Sequence, residues 1–480
     1  MFFVRQVLFL VHNLLSLNMF EKIVSSINNV IWSPALVVLL VGAGLYFTLR
    51  TRFVQLRRIG LMTRLLFRKR EKGAEKKGVS SFEAFCIALS GRVGTGNIVG
   101  VATAIALGGP GAVFWMWIIA FFGASTAYVE STLAQIFKFS HSSGFRGGPA
   151  CYIERGLKAK WLAVVFALVT IIACGMLLPT VQANGMATAA MNSFGINPLY
   201  SGLFLAFLIG LVVVGGVRRI AKAASIVTPF MAVVYVVISL FILALNWRAV
   251  PGLLGCIVQN AFGINPVCGG ILGSTIMMGV KRGLFSNEAG QGTGAIPSAS
   301  ADVKHPAEQG LVQAFSVYVD TLLVCTATAL MILSAGTFNI LDSKTGEMLV
   351  SNVPELGANY VGFTQAAVDS VVGGFGGTFV SIALAFFVFT TVMAYYFYSE
   401  SSIMYLCSLG KKFSPKVENL LIRILQVFIL SAIVFGAVKE ANLVWTLGDI
   451  GVGIMAWVNV IAIILLSPKA FSALKEYENR

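Results

Sequence analysis

The chain has 480 residues, 57% of them hydrophobic and only 11% charged, with a formal net charge of +15 and a mean hydropathy of +0.84. A soluble chain of this length carries roughly a quarter charged residues, so a soluble globular protein is excluded. The basic excess would suit nucleic acid, but it is gathered in alternate loops between apolar blocks, which marks membrane topology instead.

Residues 1–18 are apolar with Arg5 near the start and no small-residue cleavage pattern. They read as an extension, or as an over-long start with Met19 the true beginning. A block of about 20 apolar residues crosses a bilayer as a helix. That rule predicts an all-α polytopic membrane protein with eleven transmembrane helices, at about 31–49, 82–107, 111–138, 161–191, 200–215, 225–246, 260–294, 309–335, 375–405, 420–437 and 442–467. Residues 1–30 lead in, 31–49 form the first helix and 50–81 a basic loop. Residues 82–246 and 260–467 hold five helices each, and 468–480 form a tail. With the N-terminus outside, the inner loops collect Arg50 to Lys77, Arg146, Arg155, Lys158, Lys160, Arg218, Arg219, Lys222, Lys411, Lys412, Lys416, Lys469, Lys475 and Arg480. The outer ones hold little beyond Arg248, Lys344 and Lys439, which also places the C-terminus in the cytoplasm. The 50–77 run is also suited to anionic headgroups.

The second span is interrupted by Ser90-Gly91-Arg92-Val93-Gly94-Thr95-Gly96-Asn97-Ile98-Val99-Gly100. Such backbone is tolerated at membrane depth only inside the protein or along a watery cavity. The glycine spacing is one residue too long for a dinucleotide fingerprint and follows no strand. The seventh span is interrupted near 279–294, where Lys281, Arg282 and Glu288 enter apolar surroundings. Charges at that depth face the protein interior and pair. The glycines alone would also fit close helix packing. Placement favours the other reading: with the first span set aside, each set of five opens on a broken helix. An odd number per set makes the second set inverted, the plan of transporters whose broken helices meet at the midplane. Half-helix N-termini there suit a carboxylate and freed carbonyls suit sodium or an ammonium group, so a zwitterionic amino acid fits both.

The seven cysteines are scattered without a CxxC pair and the three histidines are far apart, so neither a disulfide framework nor a transition-metal site is expected. No HExxH, GxSxG or His/Asp cluster points to an enzyme. A channel would show a short selectivity loop or rings of like charge. Glu130, Asp320, Glu400 and Asp449 read as partners of an Arg or Lys on a neighbouring helix, or else as proton carriers. Lys281 and Arg282 are expected on the cytoplasmic half of the pathway, paired with Glu288 or Glu130.

Both interruptions resemble those of the alanine/glycine:cation symporter family, the sodium:alanine symporters, within the group sharing the leucine-transporter fold. The resemblance runs over about residues 25–470. It is carried by Ser90 to Gly100, Arg282 to Gly290 with its Ser-Asn-Glu-Ala-Gly stretch, Lys304-His305-Pro306 and Gln309-Gly310-Leu311. Gly147-Gly148-Pro149, Val181 to Asn184, and Asp449, Gly453, Met455, Ala456 and Asn459 add to it. It implies one extra helix plus a five-plus-five inverted repeat, in a bacterial or archaeal plasma membrane protein that symports small neutral amino acids, alanine or glycine, with sodium by alternating access. The alternative on the same fold is a proton-coupled symporter or an exchanger of a larger neutral amino acid. It implies neither a cofactor nor an obligatory protein partner. By the resemblance, Thr95, Gly96, Asn97, Gln182, Phe285, Ser286, Asn287 and Tyr395 bind substrate. Val93, Gly96, Thr390 and Thr391 hold the cation, although adjacent threonines otherwise bond back to their own helix. Where many relatives carry Gly-Trp, this chain has Ala394-Tyr395, and a smaller tyrosine leaves room for larger or polar side chains and brings a hydroxyl that needs a partner.

Overall fold

A computed structural model describes residue 19 and residues 21–68, 78–264, 270–343, 345–409 and 414–480. The extension 1–18 with His12, the basic residues Lys69, Arg70, Lys72, Lys76 and Lys77, Cys268, Lys344, Lys411 and Lys412 lie outside these residues. The chain is overwhelmingly helical. In order come α1 (Pro34–Arg50), α2 (Ser81–Arg92), α3 (Val101–Gly108), α4 (Ala112–Ile136), α5 (Lys160–Ile172), α6 (Leu178–Phe194), α7 (Pro198–Val213) and α8 (Gly216–Leu245). Then follow α9 (Val250–Ala261), α10 (Leu272–Asn287), α11 (Ala295–Ser300), α12 (Pro306–Val317), α13 (Thr326–Ala335), α14 (Tyr360–Asp369), α15 (Gly376–Ser408), α16 (Pro415–Val438) and α17 (Ala441–Glu478).

Local chemistry sets the ends of these helices. Proline opens α1, α7, α12 and α16, where its missing N–H costs nothing. A capping box starts α2: the Glu83 amide donates to Ser80 Oγ at 3.1 Å and the Ser80 amide to Glu83 Oε2 at 2.6 Å. Gly195, at φ 64°, stops α6 in the left-handed conformation.

Among the described residues, eight helices are long and apolar enough to cross a bilayer, or nine if the bent pair α2–α3 counts as one. The other expected spans differ for physical reasons. The second bends by 50° between Arg92 and Gly96. The fifth, α7, has only 16 residues. The seventh begins at Leu272 rather than 260, because Val250–Ala261 forms a separate short helix. The last runs on to Glu478, past its expected end and through Pro468. Two expected polar loops carry small antiparallel hairpins, β1 (Phe139–His141) with β2 (Gly144–Arg146), and β3 (Asn339–Leu341) with β4 (Met348–Ser351).

Helices α7, α8 and α16 expose rows such as Leu203, Phe204, Phe207 and Leu211, or Phe230, Val233, Val237 and Phe241. Contiguous apolar surface of that extent is suited to lipid, not water. Helix α4 and the interrupted spans are the inner elements, and the core around them is closely packed. Loops assigned to one side by charge also meet one another. Arg57 and Arg58 reach Glu478 at 2.8 and 3.0 Å, Arg68 reaches Glu308 at 2.9 Å, and His141 lies 3.4 Å from Glu418. At the other end, Asn192 donates to Gln365 at 2.9 Å and Trp115 to the Ala261 carbonyl at 3.1 Å.

Candidate functional site

The two interruptions face each other. In the first, α2 stops at Arg92 and the chain resumes as a π-turn, Gly96–Gly100, before α3. In the second, α10 ends at Asn287, Glu288 turns left-handed at φ 56°, and Gly290 and Gly292 follow at φ 95° and 90°. Only glycine takes such angles without strain. A Cβ on Gly96 would stand 3.3 Å from Phe285 Cδ1 and from the Ser286 Cα, so the breaks are in contact.

Three polar groupings gather there, all buried. Asn97 Nδ2 donates to Asp320 Oδ1 at 2.6 Å. Ser286 Oγ lies 3.1 and 2.9 Å from the two Asp320 oxygens, and Thr321 Oγ1 donates to Oδ2 at 2.6 Å. Asp320 therefore ties the first break to the second from a π-helical stretch of the eighth span, Tyr318–Cys325. In the next grouping, Gln182 Oε1 accepts from the Thr95 amide at 2.9 Å and from Thr95 Oγ1 at 2.7 Å. Tyr395, also buried, lies near the same glutamine. In the third, Thr391 Oγ1 lies 2.8 Å from the Ser90 carbonyl and 3.1 Å from that of Val93. A Cβ on Gly94 would lie 2.7 Å from both Gln182 Oε1 and Thr391 Oγ1, so a glycine there lets the last two groupings adjoin.

Some expected residues stand apart. Thr390 turns to its own helix, 3.1 and 3.0 Å from the carbonyls of Phe386 and Phe387, and to the Met231 sulfur at 3.5 Å. Successive residues on an α-helix project about 100° apart, so one of two adjacent threonines faces Val93 and the other does not. The Gly96 carbonyl is engaged by the Val101 amide. Asn287 Oδ1 accepts from the Ala289 amide at 3.0 Å, closing the turn, and faces α4 at Gly123.

The expected partners of Lys281 and Arg282 are corrected. Both reach Asp449 of α17, each at 2.7 Å, and neither pairs with Glu288 or Glu130. They precede the break along α10, at the end of the bundle where α10 and α17 begin. Under the charge-derived orientation that is the outer half, not the cytoplasmic one. Arg282 also lies 4.7 Å from the Trp445 ring centroid and 5.6 Å from that of Phe285. Lys281, Arg282, Trp445 and Asp449 form part of the lining of a cleft of about 1200 Å³, with Trp32, Thr103 and Tyr360.

The sequence reading missed Asp320 as a site residue, treating it as half of an ion pair or a proton carrier. A signal was present: residues 309–335 contain no Lys or Arg to pair with it on its own helix. Ser90, whose carbonyl faces Thr391, was also passed over.

A profile of the sodium:alanine symporter family matches residues 17–480. The chain belongs to the sodium:alanine symporter family. A Bacillus subtilis protein named as a putative sodium/proton-dependent alanine carrier is 51% identical over 95% of this chain and 92% of its own length. Another from the same organism, a probable sodium/glutamine symporter, is 43% identical over 95% of this chain and 90% of its own. Among solved structures, MhsT in complex with L-phenylalanine superposes with a TM-score of 0.55 at 14% identity, covering 84% of this chain and 98% of that one. That likeness shows a leucine-transporter-like fold. This family member is thus a multi-pass plasma membrane transporter with broken helices, and not an enzyme.

Proposed function

We propose that this symporter couples inward sodium movement to uptake of a small neutral amino acid, alanine or glycine, by alternating access. The observation that carries the reading is the buried junction of Asn97, Ser286 and Asp320, where two interrupted helices meet. The substrate carboxylate docks at the first break around Thr95, Gly96 and Asn97, taking the place of the Gln182 oxygen on the Thr95 amide. Its ammonium group faces Asp320 and Ser286, a carboxylate and a hydroxyl suited to a cationic donor. Phe285 lines the pocket beneath Arg282, and Gln182 with Tyr395 limits the side chain. Sodium, a hard cation favouring oxygen, is held by the carbonyls of Ser90 and Val93 with the Thr391 hydroxyl, while Gly96 and Thr390 contribute less. Asn287 serves the turn rather than the ligand.

With the N-terminus outside and the C-terminus cytoplasmic, as the basic loops favour, the 1200 Å³ cleft opens outward and Lys281, Arg282 and Asp449 form part of its floor. Residues 82–246 and 260–467 then act as the two inverted repeats, with a break opening each. A second reading, uptake of a larger neutral amino acid, is favoured by Tyr395 and by the relative named for glutamine.

Equilibrium binding tests the reading. Labelled alanine should bind the purified protein more tightly in sodium than in choline, and sodium more tightly with alanine present, by the same factor. Equal affinity in both salts would contradict sodium coupling. Glutamine displacing alanine at lower concentration than glycine does would move the reading to the larger substrate.

A further inference from the structure

Another group of buried charges bridges the two breaks and takes no part in holding substrate or sodium. Arg92 ends α2 at the first break, Glu288 follows α10 at the second, and Glu130 lies on the uninterrupted α4; their exposures are 1%, 0% and 0%. Arg92 commits Nη1 to α12, lying near the Gln313 carbonyl (3.4 Å), Gln313 Oε1 (3.3 Å) and the Ser316 hydroxyl, while its Nε and Nη2 have no partner. Glu130 Oε2 accepts from Asn459 Nδ2 at 3.0 Å and from the Gly290 amide at 3.3 Å, and its Oε1 has no partner. Glu288 Oε2 accepts from Thr293 at 2.9 Å, and its Oε1 has none.

Two of these free ends meet at Gly294, where a Cβ would lie 2.6 Å from Arg92 Nη2 and 3.6 Å from Glu130 Oε1. Glu288 reaches the same helix end as Arg92: a Cβ on Gly91 would lie 3.1 Å from its Oε2, the oxygen that Thr293 also holds. One guanidinium cannot neutralise two carboxylates, and a buried charge left without compensation is costly. Among the described residues no neighbouring side chain makes up the difference, and a sodium ion at the Ser90 and Val93 carbonyls would do so only while it is bound. Asp320 adds a further negative charge from the eighth span. The remaining ionisable groups in range are Tyr152 on the helix Pro149–Leu157, Cys174 in the turn between α5 and α6, and Tyr395 and Tyr398 on α15. None of them brings a cation, and Lys281 and Arg282 are spent on Asp449.

We propose that Glu130 and Glu288 share a single exchangeable proton opposite Arg92, bound and released once in each transport cycle. On release the carboxylic acid becomes a carboxylate and the proton passes to water at the open face; binding reverses this. Arg92 and Glu288 belong to the interrupted spans, whereas Glu130 and its partner Asn459 belong to continuous helices. Movement of one set against the other changes how closely Arg92 and Glu288 approach Glu130, and so the affinity of the pair for the proton. The link to the cycle rests on the symport reading; the proton site itself does not.

The experiment has two arms. In the first, infrared difference spectra of the purified wild type are recorded between about pH 5 and about pH 9, without substrate. The expected result is a protonated-carboxyl band lost at high pH and absent in both Glu130→Gln and Glu288→Gln, since either change leaves one carboxylate fully matched by Arg92. A wild type without such a band, or a band undiminished in both variants, would overturn the proposal; the wild-type arm needs no variant to fold. In the second arm, sodium and alanine are added to weakly buffered wild type with a pH indicator. Proton exchange approaching one per protein supports the proposal, and alanine binding with no exchange overturns its link to the cycle. Absence of alanine binding would count against the symport reading alone, leaving the infrared arm to decide the proton site.

Discussion

At Thr390 and Thr391 one residue of helical rotation separates two chemically identical side chains. Both reach back to their own helix, but only Thr391 also meets the carbonyls of Ser90 and Val93. Thr391→Ala should therefore raise the sodium concentration for half-maximal uptake by about tenfold, the loss of roughly 1.4 kcal/mol of binding. Thr390→Ala should leave it within about twofold. Sodium titration of uptake checks both, and equal effects would remove the distinction. Tyr395 differs in kind, since it is a large buried ring near Gln182, which in turn holds Thr95. Tyr395→Trp fills more of the pocket and should narrow selectivity towards glycine and alanine, read from competition by a series of neutral amino acids. An unchanged series would show that Tyr395 does not bound the side chain.

At the scale of elements, α10 and α17 are joined by one carboxylate between two cations. Lys281, Arg282 and Asp449 side chains are 10%, 4% and 3% exposed, so removing the acid strands two like charges in a nearly dry place. Asp449→Asn should cost about 3–5 kcal/mol and lower the melting temperature markedly. Adding Lys281→Met should recover part of the loss, and a double variant no more stable than the single one would contradict this account. The positions of both breaks were legible in the sequence because glycine, serine and asparagine clustered inside apolar runs. The partner of Arg282 was not, for it lies 167 residues away and nothing local to either residue marks the pairing. The π-helical stretches Ala173–Leu177 and Tyr318–Cys325 were equally hidden. A π-turn adds one residue per turn without changing composition, yet the second of these presents Asp320 to Asn97 and Ser286. The expected last span ends at 467, and the helix continues beyond it through Pro468 to Glu478.

For the whole molecule, alternation of basic loops predicted which loops share a face, and side-chain pairing links loops in the same sets: Arg58 with Glu478 at one end, Asn192 with Gln365 at the other. Alternating access asks more than a shared face: sodium and substrate must favour the same conformation to be moved together. The adjoining of Thr391 and Gln182 around Gly94 supplies the physical route, since anything that draws in one oxygen presses on the other. The most direct measurement is accumulation of labelled alanine in proteoliposomes holding the purified protein, with and without an inward sodium gradient. The account predicts uptake above equilibrium that depends on the gradient and falls by about tenfold or more in Asp320→Asn and in Asn97→Ala. Accumulation that ignores the sodium gradient, or that survives both substitutions at wild-type rate, would contradict it.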